Sequence, residues 1–313
     1  MRKPAIAAIM AAGVVGGGSP AFAGEGGGSH YVPGTQGEFL LGVFGPAGVY
    51  LRNDTWFYDY DVGAHVRNGL AVGSANQQAW LNTTRLSWLT DTEVFGARYG
   101  GSVVLTYVLD ADISGQVVTD PGGFTRGRSI SGFADLYVAP VLLNWSQDKH
   151  HFTFKLGAYA PTGSFDPDKA LNTSRNYWTA EIGGAYSWFN PQSGFEVSAN
   201  FGYLHNWENP DTDYRTGEEV HLDWTVAQHV SKSFTAGISG YFYAQVEADE
   251  GNVVGPLDAS DIKAWSYGLG PVAQWNVPVG GTSIGVTAKA LFDIDAKDRL
   301  SGNLYMLSLS YAF

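Results

Sequence analysis

Cysteine is absent from the 313 residues, so neither a disulfide framework nor a thiolate metal site exists. Long apolar runs are absent beyond the first two dozen residues, and mean hydropathy is only −0.10. A bundle of membrane-spanning helices is excluded on that count. Positive charge is scarce: 18 Lys and Arg stand against 30 Asp and Glu, for a net charge of −12. That sign argues against a nucleic-acid partner. What remains is plentiful in one respect. The chain carries 10 Trp, 17 Tyr, 17 Phe and 41 Gly, the composition of an all-β protein.

Residues 1–23 read as a secretory signal peptide. Arg2 and Lys3 precede an apolar run from Ala5 to Val15, and Ala21-Phe22-Ala23 is an A-x-A-like cleavage site. The mature chain is expected to start near Gly24 and to be exported in a Gram-negative bacterium.

The last residues, GNLYMLSLSYAF, alternate. Tyr305, Leu307, Leu309, Tyr311 and Phe313 share one parity, and Met306, Ser308, Ser310 and Ala312 the other. A strand turns successive side chains to opposite faces, so one face is strongly apolar. As a soluble edge this strand would aggregate, so it needs a cover. The same alternation recurs in Phe195–Tyr203, Trp178–Trp188, Phe152–Ala158, Phe234–Phe242 and Ile284–Phe292. Repeated ten-residue segments of this kind are the signature of an outer-membrane barrel.

The pattern predicts twelve strands: 48–60, 79–90, 93–108, 131–145, 150–160, 176–189, 194–206, 218–230, 234–247, 261–276, 282–292 and 301–313. The joins between them alternate in length. Short ones fall at Thr90–Thr92, Ser146–Lys149, Asn190–Ser193, Ser231–Ser233 and Val277–Gly281. Long ones fall at Asp61–Gln78, Leu109–Ile130, Pro161–Arg175, Trp207–Gly217, Ala248–Ser260 and Asp293–Leu300. Short periplasmic turns and long external loops give that alternation when both ends of the barrel domain are periplasmic. The long joins hold acidic groups such as Asp211, Asp213, Glu218 and Glu219, and Asp249, Glu250, Asp258 and Asp261. The expected fold is a transmembrane antiparallel up-and-down β-barrel over 48–313. Tyr305, Leu307, Leu309, Tyr311 and Phe313 are expected to face lipid.

Six stretches resemble one family of outer-membrane barrels, that of the meta-pathway of phenol degradation. They are SHYVPG (Ser29–Gly34), GVYLRND (Gly48–Asp54), GFADLYVAP (Gly132–Pro140), YAPTGSF (Tyr159–Phe165), NYWTAEIGGAYSW (Asn176–Trp188) and GLGPVAQW (Gly268–Trp275). They occur in family order over almost the whole mature chain. The resemblance implies a transporter-like barrel without a catalytic site. The terminal Phe313 with its alternation also resembles the signal read by the barrel-assembly machinery, an expected partner beside outer-membrane lipid.

Twelve tilted strands give a backbone radius of roughly 12 Å and leave a lumen on the order of 10 Å across. The segment Gly24–Ala47 precedes the first strand and is too apolar for a bare linker, with Tyr31, Val32, Phe39, Leu40, Leu41 and Phe44. It is expected to enter the barrel from the periplasmic side as a plug, with His30 and Tyr31 narrowing the bore. Lying under the barrel mouth as a tail is the alternative. Parity turns Arg98, Asp135, Tyr137, Lys155, Tyr159 and Glu181 inward. It does the same for Glu196, Asp223, Tyr241, Tyr243 and Lys289. Outward, a Lys or Arg would cost about 2–4 kcal/mol at the midplane. These groups form either a selective constriction or a salt-bridged filling, and Lys155 and Glu181 stand on consecutive strands.

Catalytic and metal patterns are weak. His150-His151 has no third ligand by spacing, and no serine has a context that completes a dyad with His205 and Asn206 or with His221 and Asp223. No cofactor is implied. The leading expectation is a passive outer-membrane channel for small hydrophobic or aromatic solutes. A closed structural or adhesive barrel with acidic loops is the second reading, and a barrel hydrolase the third.

Overall fold

A computed structural model describes residues 24–25, 28–62, 65–67, 70–117, 124–167, 169, 171–251, 263–280, 282–299 and 301–313. Residues 1–23, read above as a leader, and the acidic groups Asp258 and Asp261 lie outside the described residues. No described helix is long and apolar enough to cross a membrane, which says nothing of strands.

The chain forms β1 (Gly48–Val62), β2 (His65–Arg67), β3 (Leu70–Val94), β4 (Ala97–Val117), β5 (Phe124–Phe133), β6 (Leu136–Gln147) and β7 (His150–Ala160). There follow β8 (Thr179–Asn190), β9 (Phe195–Asn206), β10 (Glu219–Ser231), β11 (Phe234–Gln245), β12 (Trp265–Val279), β13 (Thr282–Lys297) and β14 (Ser301–Ala312). All pairings are antiparallel. Each wall strand bonds to its neighbour in the chain, and β1 closes on β14 from Tyr50↔Ala312 to Asp61↔Ser301. The closed wall has twelve strands. β2 continues the line of β1 along β3, and β5 continues that of β6 along β4.

Closure follows from the solvent. Lipid offers no hydrogen bonds, so an open sheet edge cannot persist in it. Alternation then sorts the faces. Trp178, Ile182, Phe201, Phe242, Leu307 and Leu309 are exposed on the outside, and Phe313 is 73% exposed at the rim. Leu304, Met306 and Ser308 are buried on the inside. Tyr305 is exposed as expected, but Tyr311 is only half-buried, edge-on to Phe313 at a ring separation of 4.8 Å.

Several boundaries differ from expectation. The turn placed at Thr90–Thr92 is at Phe95–Gly96, where both residues take positive φ (52° and 71°). That is the backbone of a primed two-residue hairpin turn. β3 therefore runs through the polar DTEV, which pairs Glu93↔Arg98. The strand placed at 176–189 starts at Thr179, because Asn176 takes φ 62°. The long joins at Asp61–Gln78 and Leu109–Ile130 are largely strand, as is Asp293–Lys297. These stretches lack apolar alternation because they stand above the lipid. Their polar side chains bond across the ladder instead, as in Asn76–Asp61 and Gln78–Asp59.

The outward face should tolerate no charge near the midplane. Leu307→Arg is expected to lower the unfolding free energy by about 2–4 kcal/mol in lipid vesicles, read by urea titration. Thr, a smaller polar replacement, should cost less.

Candidate functional site

Residues 28–47 form no strand or helix, and they lie within the barrel. The path runs between its two mouths. At the short-turn end, Gly45 O accepts a bond from Arg98 Nη1 (2.8 Å), just before β1 begins. Further in, Gly42 N donates to Ser187 Oγ (2.8 Å) and Gly42 O accepts from Asn144 (2.6 Å). Leu40 N donates to Glu196. At the long-loop end, Ser29 Oγ donates to Glu219 Oε2 (2.7 Å) and Gly24 N bonds to Asp249. The segment thus enters from the periplasmic side but does not stop at a kink near that entrance. It reaches the outer mouth.

Why it adheres is a matter of charge. The wall turns its ionisable groups inward, and the segment supplies their partners. Glu38 pairs with Lys289 (2.6 Å) and with Arg52 (2.8 Å), and Arg52 also holds Asp54 (2.7 Å). Lys289 Nζ donates further to Gly34 O (2.6 Å) and Gly37 O (2.9 Å), and it lies over the Trp56 ring at 5.4 Å. Gly34 takes φ +79°, and a Cβ there would lie 2.2 Å from Leu291 Cδ1, so only glycine fits the bend.

Tyr31 and His30 occupy the centre. Tyr31 stacks on His221 at 3.8 Å and donates its hydroxyl proton to Asp223 Oδ2 (2.8 Å). His221 bridges Asp223 and Glu181 (both 3.1 Å), and Glu181 pairs with Lys155 at 2.7 Å. His30 reaches Asp135 (2.9 Å) and Thr179 (2.8 Å), and it stacks on Tyr159, which packs against Tyr137. Tyr243 donates to Glu219 Oε1 (2.5 Å), and Tyr241 donates to Asp293. Every lumen candidate read from the sequence therefore points inward. Most are engaged with the segment or with one another.

Other groups were not singled out in the sequence. From the segment Glu38 and Gln36 reach the wall, Arg52 and Arg175 grip the segment, and Asp54 orients Arg52. Glu38 carried a signal, being the lone acid in the apolar stretch GEFLLG, while the inward Lys289 needed a counter-charge. Arg52 and Asp54 share the parity of Trp56 on β1, the least regular strand by pattern. His150 and His151 sit at the short turn, bonded to Tyr186 and Ser146. His205, near the outer end of β9, pairs with Glu218 just before β10.

The segment is seated off-centre. Its polar contacts lie mostly on β8–β11 and β13, opposite the inner faces of β3, β4 and β6. Between segment and these faces lies a cavity of about 990 Å³. Its far wall mixes apolar Ala79, Leu81, Val104, Val108 and Ala111 with polar Gln77, Thr83, Arg85, Ser102 and Thr106, and Tyr137 and Tyr159 border it. Phe39, Leu40 and Leu41 are half-buried and border this space, and the Phe39 ring is edge-on to His229 of the wall at 6.3 Å. Beyond Leu136↔Ala160, β5 bonds only to β4 among the described residues. The described residues among 161–174 lie beside that gap, and Leu171 and Thr173 line both the cavity and a smaller recess beside Phe133.

A closed twelve-stranded barrel with short turns at one end and an apolar outer belt is an outer-membrane β-barrel. The chain belongs to the family described as putative MetA-pathway of phenol degradation, whose model matches residues 64–309. Its fold is similar to that of the COG4313 outer membrane channel from Pseudomonas putida F1, at TM-score 0.68 and 13% identity over 91% of this chain and 100% of that one. A Pseudomonas aeruginosa FadL homologue aligns over 95% of this chain and 99% of that one, at TM-score 0.39 and 11% identity. No curated protein sequence matches the chain.

Removing one member of a buried ion pair leaves the other short of counter-charge. Lys289→Ala leaves Glu38 with Arg52, so it is expected to cost less than the roughly 3–5 kcal/mol of a fully orphaned buried charge, read by urea unfolding. The double variant Lys289→Ala with Glu38→Gln should recover part of that loss, because Arg52 keeps Asp54.

Proposed function

We propose that the protein is a passive outer-membrane channel for small hydrophobic or aromatic molecules. The observation that carries this is the one-sided cavity of about 990 Å³, whose lining sets Leu81, Val104, Val108, Tyr137, Tyr159 and the segment's Phe39–Leu41 beside a few polar groups, Arg85 among them. Pockets that take small molecules are mostly apolar with a few placed polar groups. The volume suits a single-ring compound or a short acyl chain. The family's description points to the same chemistry, and the similar Pseudomonas putida fold is that of an outer membrane channel. We assign no catalytic step, since His221, Asp223 and Glu181 are committed to holding Tyr31 and Lys155.

The adhesive reading draws less support. Arg215 pairs with Glu250 (2.9 Å), Glu218 (3.4 Å) and Glu247 (3.4 Å) in the outer loops, and its guanidinium holds the Glu250 carboxyl below the usual range. Part of the acidic surface is thereby neutralised within the chain.

Two measurements test the channel. Val104→Trp fills the apolar wall and should slow phenol entry into proteoliposomes several-fold while the barrel still assembles. Equal entry rates would sink the reading. Deleting Gly24–Phe39, with the leader kept, should raise single-channel conductance. Unchanged conductance in a folded deletion means that the segment does not limit the bore.

A further inference from the structure

Asp249 stands in the connection after β11 at the outer mouth, and only 1% of it is exposed. Its oxygens are fully engaged. Oδ1 accepts from Gly217 N (2.8 Å) and Gln245 Nε2 (2.5 Å), and Oδ2 accepts from the Tyr214 hydroxyl (2.6 Å) and Gly24 N (2.5 Å). Among the described residues, Asp249 forms no ion pair with a Lys, Arg or His side chain. Burial pushes its carboxyl up from the ordinary value. A buried carboxylate without a cation is costly, so the group either keeps a proton or finds a positive charge.

One of its four donors can become that charge. The A-x-A pattern ends at Ala23, which makes Gly24 the first residue after cleavage. Two independent observations, a cleavage pattern and a buried acid without a cation, meet at the same nitrogen. We propose that cleavage between Ala23 and Gly24 creates an α-ammonium group that Asp249 binds, fastening the threaded segment at the outer mouth. Hydrolysis by a leader peptidase consumes one water. Ala23 leaves as a carboxylate, and Gly24 keeps the nitrogen, which takes a proton at neutral pH because an α-amino group titrates near about 8.

The surroundings fit a fixed chain end. A Cβ on Gly24 would lie 2.7 Å from Gly28 O, so the terminal residue must be glycine. Residue 25 is gripped as well: Glu25 N donates to Thr216 Oγ1 (3.3 Å), Glu25 O accepts from Arg175 Nη1 (2.9 Å), and Glu25 Oε2 accepts from Asn209 (2.8 Å). The charged groups facing the amine are thus Asp249, Glu25 and Arg175. The path sets an order of events. An attached leader would have to pass through the lumen and out of the far mouth. Leader peptidases act at the inner membrane, so the segment seats only in the cleaved chain. The inference rests on the leader reading and on the threaded path, and not on which solute passes.

The test uses the full precursor expressed in a Gram-negative host. The mass of the N-terminal peptide of the purified barrel should begin at Gly24. Any other start, or an uncleaved chain in the outer membrane, overturns the proposal. Amine-selective acylation at neutral pH then reads the ion pair. An upward shift of one pKa unit cuts the reactive fraction about tenfold. The folded wild type should therefore label about tenfold more slowly at Gly24 than Asp249→Asn does. One glycine inserted between Ala23 and Gly24 displaces the amine while Asp249 remains, and it should speed labelling equally. If Asp249→Asn fails to show the heat-modifiable migration of a folded barrel, the insertion carries the comparison. Equal rates in wild type and insertion overturn the proposal.

Discussion

The structure depends on the absence of hydrogen-bonding partners in lipid. Every backbone N–H and C=O in the wall must find a partner within the sheet, so β1 closes on β14 and no edge is left in the membrane. Closure fixes the alternation of faces. Alternation in turn decides where charge can go, since a cation toward lipid is heavily disfavoured. Glu181, Glu196, Asp223 and Lys289 consequently all point into one narrow space. That crowding creates the need for counter-charges and donors that the N-terminal segment meets. The plug is in this sense a consequence of the wall.

The distribution of those inward groups explains the off-centre seat. Strands β8 to β11 and β13 present acids, histidine, lysine and tyrosine hydroxyls, while the inner faces of β3 and β4 present Ala79, Leu81, Val104 and Val108. A segment rich in backbone amides binds the first side and leaves the second. The vacant side carries fewer charges, Arg85 among them, set between apolar residues. One asymmetry in the wall thus sets the position of the segment and the shape of the cavity.

Much of this was legible from alternation. Twelve strands, the inward parity of Lys155 and Glu181, and the outward Leu307 and Leu309 follow from a period of two read in the sequence. Legibility ended where lipid ended. Above the membrane, β3 and β4 carry Asn76, Gln78, Asp110 and Asp112 on strand, and no apolar stripe marks them. The turn at Phe95–Gly96 was missed because the polar run before it resembles a turn. The partners of the segment were illegible for another reason. Contacts such as Glu38 with Lys289 join residues 251 positions apart, and their heights in the barrel depend on register and shear.

A segment without strand or helix must be ordered wholly by its surroundings. Fixing each residue costs roughly 1–2 kcal/mol of conformational entropy, while a neutral hydrogen bond returns only about 1 kcal/mol. Backbone contacts such as Gly42 with Ser187 cannot alone hold such a chain in place. The balance falls to the charge-assisted contacts, Glu38 with Arg52 and Lys289 and His30 with Asp135, together with the buried Tyr31 ring. These are few and are spaced along the path. Between them lie Phe39, Leu40 and Leu41, which face the cavity and are only half-buried. The segment is thus pinned at a handful of polar points, with an apolar stretch between pins that touches whatever occupies the cavity.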